Sequence, residues 1–157
     1  MKSDEWYNFK LADKNSVITD LFRGQVAKEI ECLGCHEKKY IFSLFWDLIL
    51  TPGPITSKKA KKLRRSKSIP LKALLQIFQR TKKENSSCQF CQNQKGKSHN
   101  FISKLPEALI ISFEKFKYQE EEFVKARYSV KFPIELDLKD YTLNSKNGKA
   151  YQLIYLF

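Results

Sequence analysis

The chain has no run of eighteen apolar residues, so it is not expected to span a membrane. Its opening stretch, "MKSDEWYNFK", carries acids and no apolar core segment, so a secretory signal is not predicted either. Acids are few, with 17 Asp and Glu against 29 Lys and Arg. The resulting formal charge of +12 suggests an acidic partner or a solvated basic tract and says nothing of the fold. Histidine is scarce at 2 and cysteine at 4, and no cysteine is left over once they are paired by spacing. A reducing, intracellular setting (nucleus or cytoplasm) is therefore expected, where paired C-x-x-C motifs hold metal more often than they form disulfides. What the chain does have is apolar residues at 42% and 12 Phe with 7 Tyr, enough over 157 residues to bury one core.

Several textures follow one another. "DEWYNFKLADKNSVITDLFRGQ" predicts two short helices, the second capped by Asn15 or Ser16, carrying Val17, Ile18, Leu21 and Phe22 on one face and ending at Gly24. "QVAKEIECL" alternates with strand period, and "KKYIFSLFWDLIL" is its expected hairpin return. Residues 57–67 hold Lys58, Lys59, Lys61, Lys62, Arg64, Arg65 and Lys67 with Leu63 as the one large apolar group, which predicts a mobile, dispensable loop. Import signal and nucleic-acid contact are the rival readings of that run. "SIPLKALLQIFQRT" predicts a helix over 68–81, with Ser68 near its cap and Leu71, Leu74, Leu75 and Phe78 on one face. "KLPEALIISFEKFKY", "FVKARYSVKFPIEL" and the terminal "AYQLIYLF" supply further strands. Nothing repeats except the doubled C-x-x-C.

Cys32 and Cys35 in "ECLGCHEKKY" match Cys88 and Cys91 in "SSCQFCQ", with 52 residues between the pairs. Two such knuckles suit one tetrahedral four-cysteine zinc site. Closing the intervening loop costs roughly 3–4 kcal/mol, whereas structural zinc supplies about 10–16 kcal/mol in peptide sites near neutral pH. The competing reading is two redox or surface thiol pairs that never meet. With four sulfurs available, His36 is read as a surface residue, and His99 in "KSHNF" as a solvated loop histidine.

The ordered set "SVITDLFRGQ", "CLGC", "FSLFWDLIL", "SIPLKALLQIF", "CQFC", "KLPEALIISFEKF", "VKFPIELDL" and "YQLIYL" resembles the ubiquitin-specific protease domain, from about Ser16 onward. Glu114 and Lys115 stand where that family usually writes basic residues in its palm strand. The resemblance implies an α+β fold: an antiparallel finger sheet with zinc knuckles and short helices at its base, part of a papain-like hand. On it, residues 1–24 form a helical palm part, 25–50 and 86–157 the finger and palm strands, 51–67 the basic flexible loop and 68–81 a helix. It carries zinc-ligand roles onto Cys32, Cys35, Cys88 and Cys91, and a ubiquitin-facing role onto the strand with Phe45 and Asp47; Trp46, on the opposite side, is expected in the core.

The family's catalytic cysteine box lies upstream of these segments and its histidine box just beyond the last, so no catalytic residue is expected here. A cysteine protease needs an available thiolate beside a histidine base. All four thiols are better used as metal ligands, and neither histidine has the required context. The function read from the sequence is thus the ubiquitin-binding fingers and palm portion of a deubiquitinating cysteine protease, inactive by itself, with zinc as cofactor and ubiquitin or ubiquitinated proteins as partners. The alternative is a free-standing four-cysteine zinc module binding nucleic acid through the basic run.

Overall fold

The computed structural model describes residues 3–11, 16–52, 68–114, 116–119, 122–125, 128–144 and 148–152. The expected basic loop, residues 57–67, lies outside the described residues, as does most of the terminal "YQLIYLF". The elements run α1 (Ser3–Leu11), α2 (Val17–Phe22), β1 (Gly24–Cys32), β2 (Lys38–Phe45), β3 (Asp47–Leu50), β4 (Ser68–Pro70) and α3 (Leu71–Gln79). They continue with β5 (Lys82–Asn85), β6 (Lys95–Lys104), β7 (Ile110–Phe113), β8 (Phe116–Gln119), β9 (Glu122–Lys125), β10 (Ser129–Lys131), β11 (Glu135–Asp137) and β12 (Ala150–Gln152). No helix among the described residues is long and apolar enough to cross a membrane.

The expected hairpin forms. β1 pairs antiparallel with β2 from Gly24↔Phe45 to Glu31↔Lys38, and its other edge pairs antiparallel with β6. With β5 on β6 this makes a four-stranded antiparallel sheet in the order β2-β1-β6-β5, the long finger. Each of its two long hairpin arms ends in a cysteine knuckle. Smaller pairings build the base, and two of these are parallel: β3 with β7 and β4 with β10.

The core lies at that base. Leu71, Leu74 and Leu75 of α3 are at most 2% exposed and pack with Leu48, Leu50 and Ile102 in one apolar cluster. The spacing of those leucines gives the helix its single buried face, and full burial of each such side chain contributes about 1.5–3 kcal/mol. α2 begins as expected: the Ser16 side chain accepts a hydrogen bond from the Thr19 backbone N–H.

Three expectations are corrected. The helix predicted over 68–81 spans Leu71–Gln79, because Ser68–Pro70 is drawn into a strand beside β10 and Pro70 becomes the cap residue. Trp46 is not core: it is 45% exposed at the bend between β2 and β3, with the buried Arg23 guanidinium 4.8 Å from its ring centroid, a cation–π contact. Gly24 opens β1 instead of simply ending α2, and its bareness has a packing reason. A Cβ there would meet the Phe45 ring at 2.2 Å.

Candidate metal centre and its neighbouring faces

The two C-x-x-C turns fold alike. In the first, the His36 N–H donates to the Cys32 carbonyl at 3.1 Å and the Cys32 N–H to the Glu37 carbonyl at 2.9 Å. In the second, Gln92 donates to Cys88 and Cys88 to Asn93, each at 2.9 Å. His36 and Gln92, each directly after the second cysteine, both adopt left-handed backbone with φ of 59° and 57°. Such backbone costs a non-glycine residue energy and persists where surrounding contacts impose it; here the same pair of turn hydrogen bonds does so twice. Gly34 is required by the approach of the other knuckle, since a Cβ on it would lie 2.6 Å from Asn93 Nδ2 and 3.2 Å from Cys91 Sγ.

This brings the four sulfurs together. Their Sγ atoms all lie within 4.8 Å of one another, with Cys32–Cys91 and Cys35–Cys88 each at 3.5 Å, and none is in a disulfide. Zn–S bonds of about 2.3 Å in a tetrahedron place sulfurs about 3.8 Å apart, so spacing and donor type fit such an ion. The electrostatics fit as well. Backbone N–H groups of Cys35 and Gly34 aimed at Cys32 bring its thiol down to about 6, and those of Cys91 and Phe90 lower Cys88 in the same way. At Cys35 the Glu37 backbone N–H pulls the same way, but desolvation and the sulfurs of Cys88, Cys91 and Cys32 outweigh it and push the thiol up to about 12. Crowded thiolates repel one another, and a divalent cation relieves that repulsion.

Strand alternation gives the finger sheet two unlike faces. One carries Lys38, Tyr40 and Phe42 on β2, Glu29 and Glu31 on β1, and Lys97, His99 and Phe101 on β6. Tyr40 stacks on Phe42 and His99 on Phe101, with ring centroids 6.4 and 6.1 Å apart. The Tyr40 hydroxyl donates to Glu29 Oε2 at 2.5 Å, Lys38 reaches Glu29 at 3.2 Å, and Lys97 reaches Glu31 at 3.1 Å. Trp6 of α1 closes one end against Phe42, with centroids 6.1 Å apart. The sequence reading missed this face, because its pattern emerges only when β2 and β6 flank β1. The signal available was the matched alternation Lys-x-aromatic-x-aromatic in "KKYIF" and Lys-x-His-x-Phe in "KSHNF".

The remaining predicted positions are now located. Phe45 is half-buried, its ring lying over Gly24 and packed against the core cluster. Asp47 starts β3 opposite Ile110 and is partly exposed. His36 is a surface residue, 3.3 Å from Glu31. His99 is not in a loop: it sits within β6, with its ring nitrogens facing the Thr81 hydroxyl and the Gln79 carbonyl.

Against known proteins, the family model described as ubiquitin carboxyl-terminal hydrolase matches residues 2–156. The chain is 29% identical to ubiquitin carboxyl-terminal hydrolase Usp2 of Drosophila melanogaster over 157 residues, covering 95% of this chain and 15% of that protein. It is 28% identical to ubiquitin carboxyl-terminal hydrolase 3 of Homo sapiens over 148 residues, covering 90% of this chain and 28% of that one. Among solved structures it is similar to a SAGA DUB module, Ubp8/Sgf11/Sus1/Sgf73, bound to monoubiquitin. The TM-score there is 0.72 at 22% identity, over 98% of this chain and 36% of the matched one, a likeness of fold. The chain thus spans a minor part of each relative's length. An antiparallel finger with paired cysteine knuckles at its tip, set on a mixed α+β base and matched almost end to end, places this chain in the ubiquitin carboxyl-terminal hydrolase family, as part of a ubiquitin-specific protease domain.

Proposed function

We propose that this chain is the fingers and palm portion of a deubiquitinating cysteine protease, holding ubiquitin against its sheet and carrying one structural zinc at the fingertip. The observation that bears most weight is the convergence of the four thiols at the end of a sheet matched throughout by the family model. Cys32, Cys35, Cys88 and Cys91 would hold the ion, which ties the two knuckles together. In this reading the chain's own residues contribute grip and not bond cleavage. Its four cysteines are all committed to the tip, and a structural zinc thiolate is no available nucleophile for an isopeptide carbonyl. The domain limits stated above, with residues 1–24 as a helical palm part and 51–67 as a basic loop, belong to the same proposal.

The alternative, a zinc module for nucleic acid, finds less support in the finger sheet. Basic residues and aromatics do alternate across one face, as a single-strand binder would have them. Yet Glu29 and Glu31 occupy the central strand of that face, where a phosphate backbone would have to run, and they already engage Lys38 and Lys97. A mixed-charge aromatic face suits a protein surface better than a polyanion.

Titration of isotope-labelled ubiquitin with the zinc-loaded chain tests the reading. Standard interfaces bury about 800 Å² per partner. With part of a hand, a Kd no tighter than tens of micromolar is the expected order, with a contiguous ubiquitin surface perturbed and no hydrolysis. Asp47→Lys should weaken the response without disturbing packing; Phe45→Ala should weaken it too, but also loosens the core contact. Silence from ubiquitin at millimolar chain, with salt-sensitive oligonucleotide binding instead, would replace this reading by the zinc-module alternative.

A further inference from the structure

On the sheet face opposite Tyr40, just behind the knuckles, lies a cavity of about 240 Å³. Its lining includes Ile30 and Gly96 of the sheet, Lys39 of β2, Phe90 of the second knuckle, and Cys32 and Cys88 of the candidate metal centre. It falls below the about 300–1,000 Å³ typical of small-molecule sites, so it suits one inserted side chain more than a cofactor.

We propose that this fingertip groove, on the same sheet face as Phe45 but nearer the tip of β2, is a second docking site for an acidic extended peptide segment of another protein that inserts one large aliphatic side chain. Three observations converge on that occupant. First, the lining is apolar where it is most exposed: Phe90, which shares it with Ile30, is 76% exposed. Second, the charge is free. Among the described residues Lys39 joins no ion pair, unlike Lys38, whose ammonium turns to Glu29 on the other face; Glu37 is the one acid of the lining. Third, among the described residues β2 is the outer strand of its sheet, and its tip from Lys38 to Ile41 is exposed throughout. An outer strand offers its unpaired backbone groups to a peptide lying alongside, while Lys39 attracts the peptide's carboxylates. The knuckle backbone is held by its own turn hydrogen bonds. The groove therefore rests on the zinc reading only to the extent that the ion keeps the two knuckles in register.

The test uses the zinc-loaded chain and a fluorescein-labelled, end-capped peptide Asp-Glu-Leu-Asp-Glu, followed by anisotropy. Zinc content is measured on every sample, so loss of the metal site is told apart from loss of the groove. Binding is expected with a Kd of roughly 100 µM, as befits a short segment. Lys39→Glu and Phe90→Ala should each weaken it about five- to tenfold. Both positions are exposed, so the fold has little stake in them. The charge-inverted peptide Lys-Arg-Leu-Lys-Arg should not bind. The inference is overturned by equal affinity for the acidic peptide in the two variants, by no binding at 2 mM peptide (~20 times that Kd), or by a twelve-residue oligothymidylate binding the groove more tightly than the peptide.

Discussion

The fingertip and the base of this molecule are stabilised by different means. At the base, α3 and the short strands around it bury leucine and isoleucine side chains completely. At the tip, residues 33–41 are exposed throughout, and Phe90 and Leu33 face solvent. A segment that buries so little cannot offset its ordering entropy by hydrophobic contact alone. Two turns with matching hydrogen bonds and four converging sulfurs stand in for the missing core. One chain therefore carries a region ordered by burial and a region with little burial, whose four sulfurs converge.

Breaking the tip should give the largest effect. Cys88→Ser should drop zinc from one per chain to near none, removing an ion worth about 10–16 kcal/mol in comparable sites. Hydrogen exchange should then show residues 32–41 and 86–97 losing protection while α3 keeps its own. Full alkylation of all four thiols in the fresh wild-type chain, with no zinc by elemental analysis, would overturn the assignment. Leu74→Ala attacks the other region and should cost about 2–5 kcal/mol, lowering the urea midpoint by roughly 1–3 M. Zinc content in dilute buffer should not change, which separates the two regions cleanly.

Gly24→Ala probes the joint between them, because the new Cβ meets the Phe45 ring. Overpacking of this kind costs about 1–3 kcal/mol, and pairing the change with Phe45→Leu should recover part of that loss in the same urea assay. The smallest effect is titrimetric. The hydrogen bond to Glu29, with desolvation and the Glu29 charge adding to it, pushes the Tyr40 phenol up to about 12. A raised value in the folded state means that this contribution is fully present below pH 10 and lost as pH rises from 10 to 12. Absorbance at 295 nm (a phenolate band) should show several late-titrating tyrosines, Tyr151 among them because burial raises it to about 12. A single one of them, Tyr40, should move back toward 10 in Glu29→Gln.

Much of this is legible in the sequence. Alternation in "QVAKEIECL" gave β1, and the apolar spacing of Leu71, Leu74, Leu75 and Phe78 gave α3, because both are local periodicities that a one-sided burial imposes. Ser16 announced the start of α2 through its capping oxygen. Ser68, by contrast, is as good a cap residue on paper, yet it lies in β4 because β10, some sixty residues further on, offers it a parallel partner. Trp46 alternates correctly for burial and is nonetheless exposed, since the chain bends there and Arg23 supplies a cation for its ring. His99 reads as a loop residue in "KSHNF" and stands within a strand because β1 and β5 pair on either side of β6.

By itself, then, the sequence determined the donor set of the candidate metal centre, the hairpin that carries its first half and the leucine face of the core helix. Each depends on residue type and short spacing. Tertiary structure alone decided that the sulfurs of Cys32 and Cys91, and of Cys35 and Cys88, face one another at 3.5 Å, that two sheet faces of opposite character lie back to back, and that a groove opens beside Lys39. Those facts come from the register between strands far apart in the chain, where shifting the pairing by one residue would turn every side chain to the other face.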